Sequence, residues 1–427
     1  MRILLLGASG FIGRELFAAL TARGHAVVPV VRRPSGAPPF AGEPAIRGDL
    51  ARDVDPAAWI PRLHGIDAVV NCAGILQERG ANSNDAVHHR GPAALYRACE
   101  DAGVRRVVLI SAISAHADAR TRYATTKLAG EEALRASRLE WVVLRPSLVH
   151  ARGAYGGTAL FRGMAALPFL IPVPAGAGHA FQPIHVDDLA RVVAKALESA
   201  ALVGRTLDPV GPDVVTLREI LVDYRRWLGL PGAPLARIPA WLVACAARMG
   251  DLAGGPLNST ALAQMRHGNT GDYAAFADQS GITCAGWHES LAANPAHTQD
   301  RWHARLYFVR PLLRTMLALL WLASGLAGFL AVGDWTPRLV ASLGIANSFA
   351  LVLPIAACVC DLAIGALLVA RWRPRALAGI QVAVIAAYTI AATAMEPGLW
   401  FAPLGPLLKN LPIVAAALAL GAIEEER

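Results

Sequence analysis

Residues 2–20 read RILLLGASGFIGRELFAAL. The aliphatic run Ile3–Leu6 is the length of a buried strand and stops at Gly7. Glycines at 7, 10 and 13 follow at spacing three and three, and apolar residues at helical spacing continue from Ile12 to Ala22. Glycine at these places lets the chain turn tightly, lets backbone approach a pyrophosphate and lets the helix pack close to the sheet. The helix N-terminus then faces the anion. Gly7, Ser9, Gly10, Phe11, Ile12 and Gly13 are therefore candidate dinucleotide contacts.

The residues beyond this stretch keep alternating. Short apolar runs at Ala26–Val31, Ala68–Asn71, Val107–Ser111 and Trp141–Arg145 interleave with helical patterns at Gly91–Ala102 and Tyr123–Ala136. Strands alternating with helices predict a doubly wound parallel sheet, an α/β Rossmann core over residues 1–150. Residues 151–310 are richer in Pro and Gly, with helical stretches at Val186–Leu197, Leu217–Leu228 and Pro239–Met249, and read as a small substrate lobe and junction. After the second strand stand Arg32 and Arg33, where an NAD enzyme carries an acid. Two cations there suit a 2′-phosphate, so NADP is expected ahead of NAD. Asp49 and Leu50 follow a short strand-like run and are expected at the adenine end. Cys72, Ala73 and Gly74 end the fourth strand and are expected to line the cleft.

Tyr123 and Lys127 lie four apart, on one helix face. With seven tyrosines and three lysines in 427 residues, chance would supply roughly 7 × 3/427, or about 0.05, such pairs. An ammonium beside a phenol lowers the phenol pKa, which makes Tyr123 a candidate general acid/base and Lys127 its activator. Ser111 ends the preceding strand and Ser114 follows it. Either hydroxyl could polarise a carbonyl, and the strand end favours Ser111.

Gly7–Gly13, Asn71–Gly74 and Tyr123–Lys127, in this order and spacing, resemble the extended and atypical short-chain dehydrogenase/reductases. The resemblance covers about residues 1–300 and is nearest the branch of the 39 kDa accessory subunit of mitochondrial complex I and its bacterial relatives. It implies hydride transfer to or from a carbonyl or alcohol carbon, a ribose contact for Lys127 and a nicotinamide-side place for Pro146 in Leu144-Arg-Pro-Ser147. The segment Gln182-Pro-Ile-His-Val-Asp-Asp188 resembles a family element that opens a helix in the substrate lobe. His88 stands where many members carry Asn.

Composition changes at Arg310. Of the 117 residues from Pro311 onward about two-thirds are apolar, whereas the first 310 have the balance of an ordinary soluble protein. Four apolar stretches, about 312–332, 349–370, 376–395 and 401–423, each approach the ~20 residues that cross a bilayer. Residues 311–427 are thus expected to form an all-α four-helix transmembrane bundle. Arg301, Arg305, Arg310 and Arg314 flank the first stretch, and Arg371, Arg373 and Arg375 lie between the second and third. The positive-inside rule then puts the Rossmann half and the C-terminus in the cytoplasm of a bacterial inner membrane. Trp335, Trp372 and Trp400 fall at expected span ends. Trp321, Gln381, Tyr388 and residues 403–410 resemble the DoxX-like family, whose name connects it loosely with quinone-linked redox chemistry. Asp361 and Lys409 are ionisable groups inside expected spans, and their depths suit a mutual ion pair.

The formal net charge of +8 comes from scattered arginines without aromatic interleaving, so nucleic acid is not the expected partner. The six cysteines show no metal-ligand spacing, no metal is expected, and their use fits a reducing compartment. Ile3–Leu6 is too short for a signal peptide. These residues together predict a membrane-anchored NAD(P)-dependent oxidoreductase acting on a lipid-soluble or quinone-related substrate. A non-catalytic nucleotide sensor or assembly subunit and a nucleotide-sugar epimerase or dehydratase are the alternatives. Oligomeric state is not readable.

Overall fold

In the computed structural model, seven strands pair in parallel. These are β1 (Arg2–Leu6), β2 (Ala26–Val31), β3 (Ile46–Arg47), β4 (Ala68–Asn71), β5 (Arg106–Ile110), β6 (Glu140–Leu144) and β7 (Arg205–Leu207). Their spatial order is β7-β6-β5-β4-β1-β2-β3. The order reverses between β1 and β4, so the crevice at their carboxyl ends is where this fold takes a ligand. All residues are described except 33–43, 79, 81, 117, 119–120, 175–177, 254, 256, 267–268, 344–346, 404 and 425–427.

Alternation along each strand builds two cores. Ile3, Leu5, Val27, Val70, Val108 and Leu144 face one layer with α1 (Phe11–Ala22). Leu4, Leu6, Val28, Val69, Val107 and Val143 face the other, with α2 (Gly91–Ala102) and α3 (Arg122–Arg135). The helix α4 (Val186–Glu198) completes the first layer through Leu189, Val193 and Leu197. Each such aliphatic side chain contributes roughly 1.5–3 kcal/mol on burial. The doubly wound sheet expected from the alternating pattern is therefore the one observed. The seventh strand, Arg-Thr-Leu, has no aliphatic run to announce it. It is held by its ladder to Val142–Leu144.

Contacts divide the chain into two compact units, Met1–Ala304 and Arg305–Arg427. The second unit is helical. Among the described residues three helices are long and apolar enough to cross a membrane: Thr298–Leu330, which starts at the end of the first unit, Leu351–Val369 and Pro374–Met395. The fourth expected span is shorter than its sequence suggested. Only Asn410–Ile423 is helical, 14 residues or about 21 Å at 1.5 Å per residue. Pro403, Gly405 (φ +53°) and Pro406 break the backbone before it. An additional helix, Val332–Leu343, fills what the sequence presented as a link.

Within this unit Leu317, Trp321, Ile364, Leu368, Leu377 and Leu420 form the core. Trp321 Nε1 donates to Gln381 Oε1 at 2.9 Å. Asp361 is buried, but not against Lys409. Its Oδ2 accepts from Ser324 Oγ at 2.8 Å and its Oδ1 from the Tyr388 hydroxyl at 2.8 Å. Lys409 is exposed and stands at the residue before the last helix, with no capping hydrogen bond from its side chain. The proline turn that delays this helix keeps Lys409 at its start instead of eight residues deep. Trp372 is exposed at the turn between two long helices, Trp400 Nε1 donates to Thr393 Oγ1 at 3.0 Å, and the Trp335 side chain lies outside the described residues.

Candidate active site

The β1–α1 turn is built by backbone demands. Gly7 has φ +75°, and a Cβ there would lie 2.8 Å from the Ala73 nitrogen. A Cβ on Gly13 would come within 2.7 Å of the Gly7 carbonyl carbon and closer still to its oxygen. Gly10 N donates to Gly7 O at 2.8 Å. As the cap residue of α1, Gly10 supplies no side chain to its first-turn N–H groups, which leaves them to an anion. Ser9, Phe11 and Ile12 lie in this turn, and Phe11 stacks on Tyr155 with centroids 5.9 Å apart.

The end of β4 crosses directly over this turn. Cys72 Sγ donates to Leu6 O at 2.9 Å, and burial pushes the thiol up to about 12, so it is inert near neutrality. Asn71 Oδ1 accepts from Ala73 N at 3.1 Å. A Cβ on Gly74 would meet Lys127 Nζ at 3.2 Å and His88 Nε2 at 3.6 Å, so bare backbone lets both side chains close in.

Lys127 is almost fully buried and its ammonium donates to Ile110 O at 3.1 Å, at the end of β5. The next residue is Ser111, also buried, whose Oγ has no hydrogen-bond partner among the described residues. Ser114 is equally buried. Pro146 O accepts from Ile113 N at 3.0 Å, which ties the segment after β6 to the serine loop. Burial lowers the Lys127 pKa to about 8, against the raising effect of Cys72 and Glu131. Tyr123 differs from expectation. Burial pushes its hydroxyl up to about 12, and the phenol makes no hydrogen bond among the described residues. The ammonium is committed to Ile110 O instead of the phenol, so the lysine does not lower the tyrosine.

His88 occupies the space between these groups. Its ring meets Tyr123 edge-on at 5.3 Å. Ile75 N donates to Nε2 at 3.1 Å, so the ring proton sits on Nδ1 and is donated to Thr126 Oγ1 at 3.0 Å. Thr126 in turn donates to Arg122 O at 2.7 Å. Burial and the Lys127 charge depress His88 to about 2, so it is neutral at any working pH. It sits in a π-helical turn, Ala86–Arg90, a local distortion frequent at functional sites.

Sequence reasoning missed what holds α3 in place. Glu131, fully buried, takes Arg135 at 2.7 Å and Arg145 at 2.7 Å through a forked guanidinium contact. The ladder Tyr123, Lys127, Glu131, Arg135 at steps of four was the available signal. The adenine-end residues are less drawn in. Asp49 accepts from Ala51 N at 3.1 Å within its own loop. Leu50 is buried with its carbonyl against Gly91. Arg32 is exposed after β2, and Arg33 lies outside the described residues.

Comparison with known proteins accords with this geometry. Residues 7–200 match the family model described as NAD(P)H-binding, and residues 318–418 match the DoxX-like family. A 3-diazoavenalumate denitrifying reductase of Streptomyces is 30% identical over 57% of this chain and 86% of its own length. This chain belongs to the NAD(P)H-binding family. The NAD(P)H-binding unit is also 29% identical to a ceramide reductase of Caulobacter vibrioides, over 51% of this chain and 68% of that protein. A mitochondrial NADH dehydrogenase 1 alpha subcomplex subunit 9 of Arabidopsis thaliana is 28% identical, over 55% and 61%. The chain spans only a quarter of the length of the uncharacterized mycobacterial relatives it matches. Among solved structures, MoeE5 in complex with UDP-glucose and NAD aligns with TM-score 0.54 and 23% identity, over 71% of this chain and 99% of that one, which shows the shared fold.

Proposed function

We propose that this NAD(P)H-binding chain is a membrane-anchored reductase of a lipid-soluble carbonyl compound, with NADPH preferred to NADH. The observation that carries the reading is the buried, unpartnered Ser111 Oγ beside the Lys127–Ile110 contact. A buried hydroxyl with no partner costs about 1–3 kcal/mol, which is tolerable where a reacting oxygen completes it. The residues fit a nicotinamide dinucleotide: Gly7 to Gly13 and the α1 N-terminus would hold its pyrophosphate, Cys72 to Gly74 and Pro146 would flank it, and Lys127 would meet a ribose hydroxyl. When bound, that cofactor supplies a hydride to the carbonyl carbon.

The chain's own residues handle the oxygen. Ser111 Oγ donates a hydrogen bond to the carbonyl oxygen and polarises it. Tyr123, held protonated by burial, delivers its proton to that oxygen as the alcohol forms. Lys127 keeps its charge below about pH 8. Arg32 and Arg33 favour a 2′-phosphate. The lipid-soluble substrate is supported by the apolar helices after Ala304 and by the ceramide reductase relative. Arg301, Arg305 and Arg310 in the N-terminal turns of the first of these helices support a cytoplasmic site for the nucleotide unit at a bacterial inner membrane. A purely nucleotide-binding role is the second reading, favoured by the absence of any lowering of the Tyr123 phenol.

The test is oxidation of NADPH and NADH by the full chain in nanodiscs, with a bacterial lipid extract as the carbonyl source. Turnover should fall at least ~100-fold in Tyr123→Phe. Tight cofactor binding with no Tyr123-dependent oxidation would leave the binding role alone. Tighter binding of NADH than NADPH would remove the role given to Arg32 and Arg33.

A further inference from the structure

The nucleotide-binding unit carries an apolar stripe left exposed among the described residues. On the helix Ala240–Ala253, Trp241, Cys245, Met249 and Leu252 fall at i, i+4, i+8 and i+11, on one face. All four are exposed, Leu252 at 93% and Met249 at 70%. The opposite face is anchored by Val243 and Ala247, both buried. Scattered exposed apolar residues need no explanation, but a contiguous helical stripe marks an interaction site. Arg248 borders it and forms no ion pair among the described residues. Asp251, on the same helix, accepts from Ser259 N at 2.9 Å at the start of the next helix.

The same helix reaches the active site. It forms a hairpin with Ser259–Arg266. Gln77 Nε2, just beyond the β4 loop, donates to Gly250 O at 3.3 Å. Gln264 Nε2 donates to Thr121 Oγ1, and Thr121 caps the helix that bears Tyr123. One side of the hairpin is therefore bound to the two loops that carry the chemistry, and the other side presents Trp, Met and Leu to the outside.

We propose that this hairpin docks on the lipid bilayer surface and forms the entrance by which a membrane-dissolved substrate reaches Tyr123. The inference rests on the reading that residues after Ala304 lie in the membrane. Two points favour lipid as the occupant. The unit passes without a linker into the apolar helix Thr298–Leu330. An apolar face with Trp and a flanking Arg is the composition of an interfacial helix, with the cation at anionic headgroups.

The experiment uses the full chain in nanodiscs of phosphatidylcholine and phosphatidylglycerol. A nitroxide is attached to native Cys245, with the spectrum of Cys245→Ser subtracted. In the Cys245→Ser background, Arg52→Cys supplies a water-exposed reference and Leu326→Cys a reference on the apolar helix, both sites being exposed in the protein. The ratio of collisions with oxygen to collisions with a nickel chelate should be several-fold higher at Cys245 than at Arg52→Cys, and should drop when Trp241 and Leu252 are changed to Ser. A Cys245 ratio equal to that of Arg52→Cys, with Leu326→Cys still in lipid, overturns the docking and leaves the reductase reading standing. A water-like Leu326→Cys overturns the membrane reading and the docking together. Spin–spin broadening at Cys245 with shielding from both reagents would assign the stripe to a second copy of the chain and also overturn it.

Discussion

Lys127→Met should make the nucleotide-binding unit more stable while removing its activity. Lys127 is 6% exposed and its ammonium has one protein acceptor, Ile110 O. Burial lowers its pKa from 10.5 to about 8. At 1.36 kcal/mol per tenfold change in proton affinity, that gap corresponds to about 3 kcal/mol of cost for keeping the charge inside. Losing the hydrogen bond to Ile110 O offsets about 1 kcal/mol. The variant should therefore gain about 2 kcal/mol at pH 7, or about 4 °C in Tm for a unit of this size. The cost depends on pH with a definite sign. Between about 8 and 10.5 the unfolded chain holds a proton that the folded one has released, so wild-type stability rises with pH across that window. Below pH 8 the full cost is present, and above 10.5 it is gone. Cys72, pushed up to about 12, does not titrate in this window. Thermal unfolding of the full chain in detergent, followed by intrinsic fluorescence from pH 7 to pH 10, measures both variants. A lower Tm for Lys127→Met at pH 7, or a difference that fails to shrink toward pH 10, would refute the reasoning that the charge is held against its own desolvation.

Other substitutions separate binding, chemistry and support. Gly13→Ala drives a methyl into the Gly7 carbonyl, where backbone cannot give way, and should abolish saturable NADPH fluorescence binding. Ser111→Ala removes an unpartnered hydroxyl, so the unfolding free energy should stay within about 1 kcal/mol of wild type while kcat falls roughly 100-fold, the loss typical of one oxyanion donor. His88→Leu strands the Ile75 N–H and should cost about 1–3 kcal/mol in an unfolding assay, while pH–rate profiles of the wild type show no histidine ionisation near 6.5. Lys409→Met should leave thermal stability unchanged, whereas Asp361→Leu should lower it, because only Asp361 has buried partners.

The glycine turn, five of the seven sheet strands and the helices beside them were readable from local sequence. Each rests on a requirement that neighbouring residues express: an aliphatic run buried on both faces, or a backbone position where no Cβ fits. Arg205–Leu207 was not readable, because three residues become a strand only when β6 offers a ladder. Likewise the last apolar stretch looked long enough to span a membrane, but hydropathy does not register the turn made by Pro403, Gly405 and Pro406.

Candidate chemistry divides in the same way. The sequence by itself determined that Tyr123 and Lys127 share a helix face, that glycines open the first turn, and that an apolar segment follows a soluble one. Only the tertiary structure decided whom each side chain meets. It placed the Lys127 ammonium on Ile110, set His88 against Tyr123, clamped α3 through Glu131 to Arg145, and gave Asp361 two hydroxyls in place of Lys409. Those partners lie from 14 to 37 residues apart along the chain. Helical and strand periodicity acts over a few residues, whereas a pKa or an ion pair is set by whatever the folded chain brings within a few ångströms.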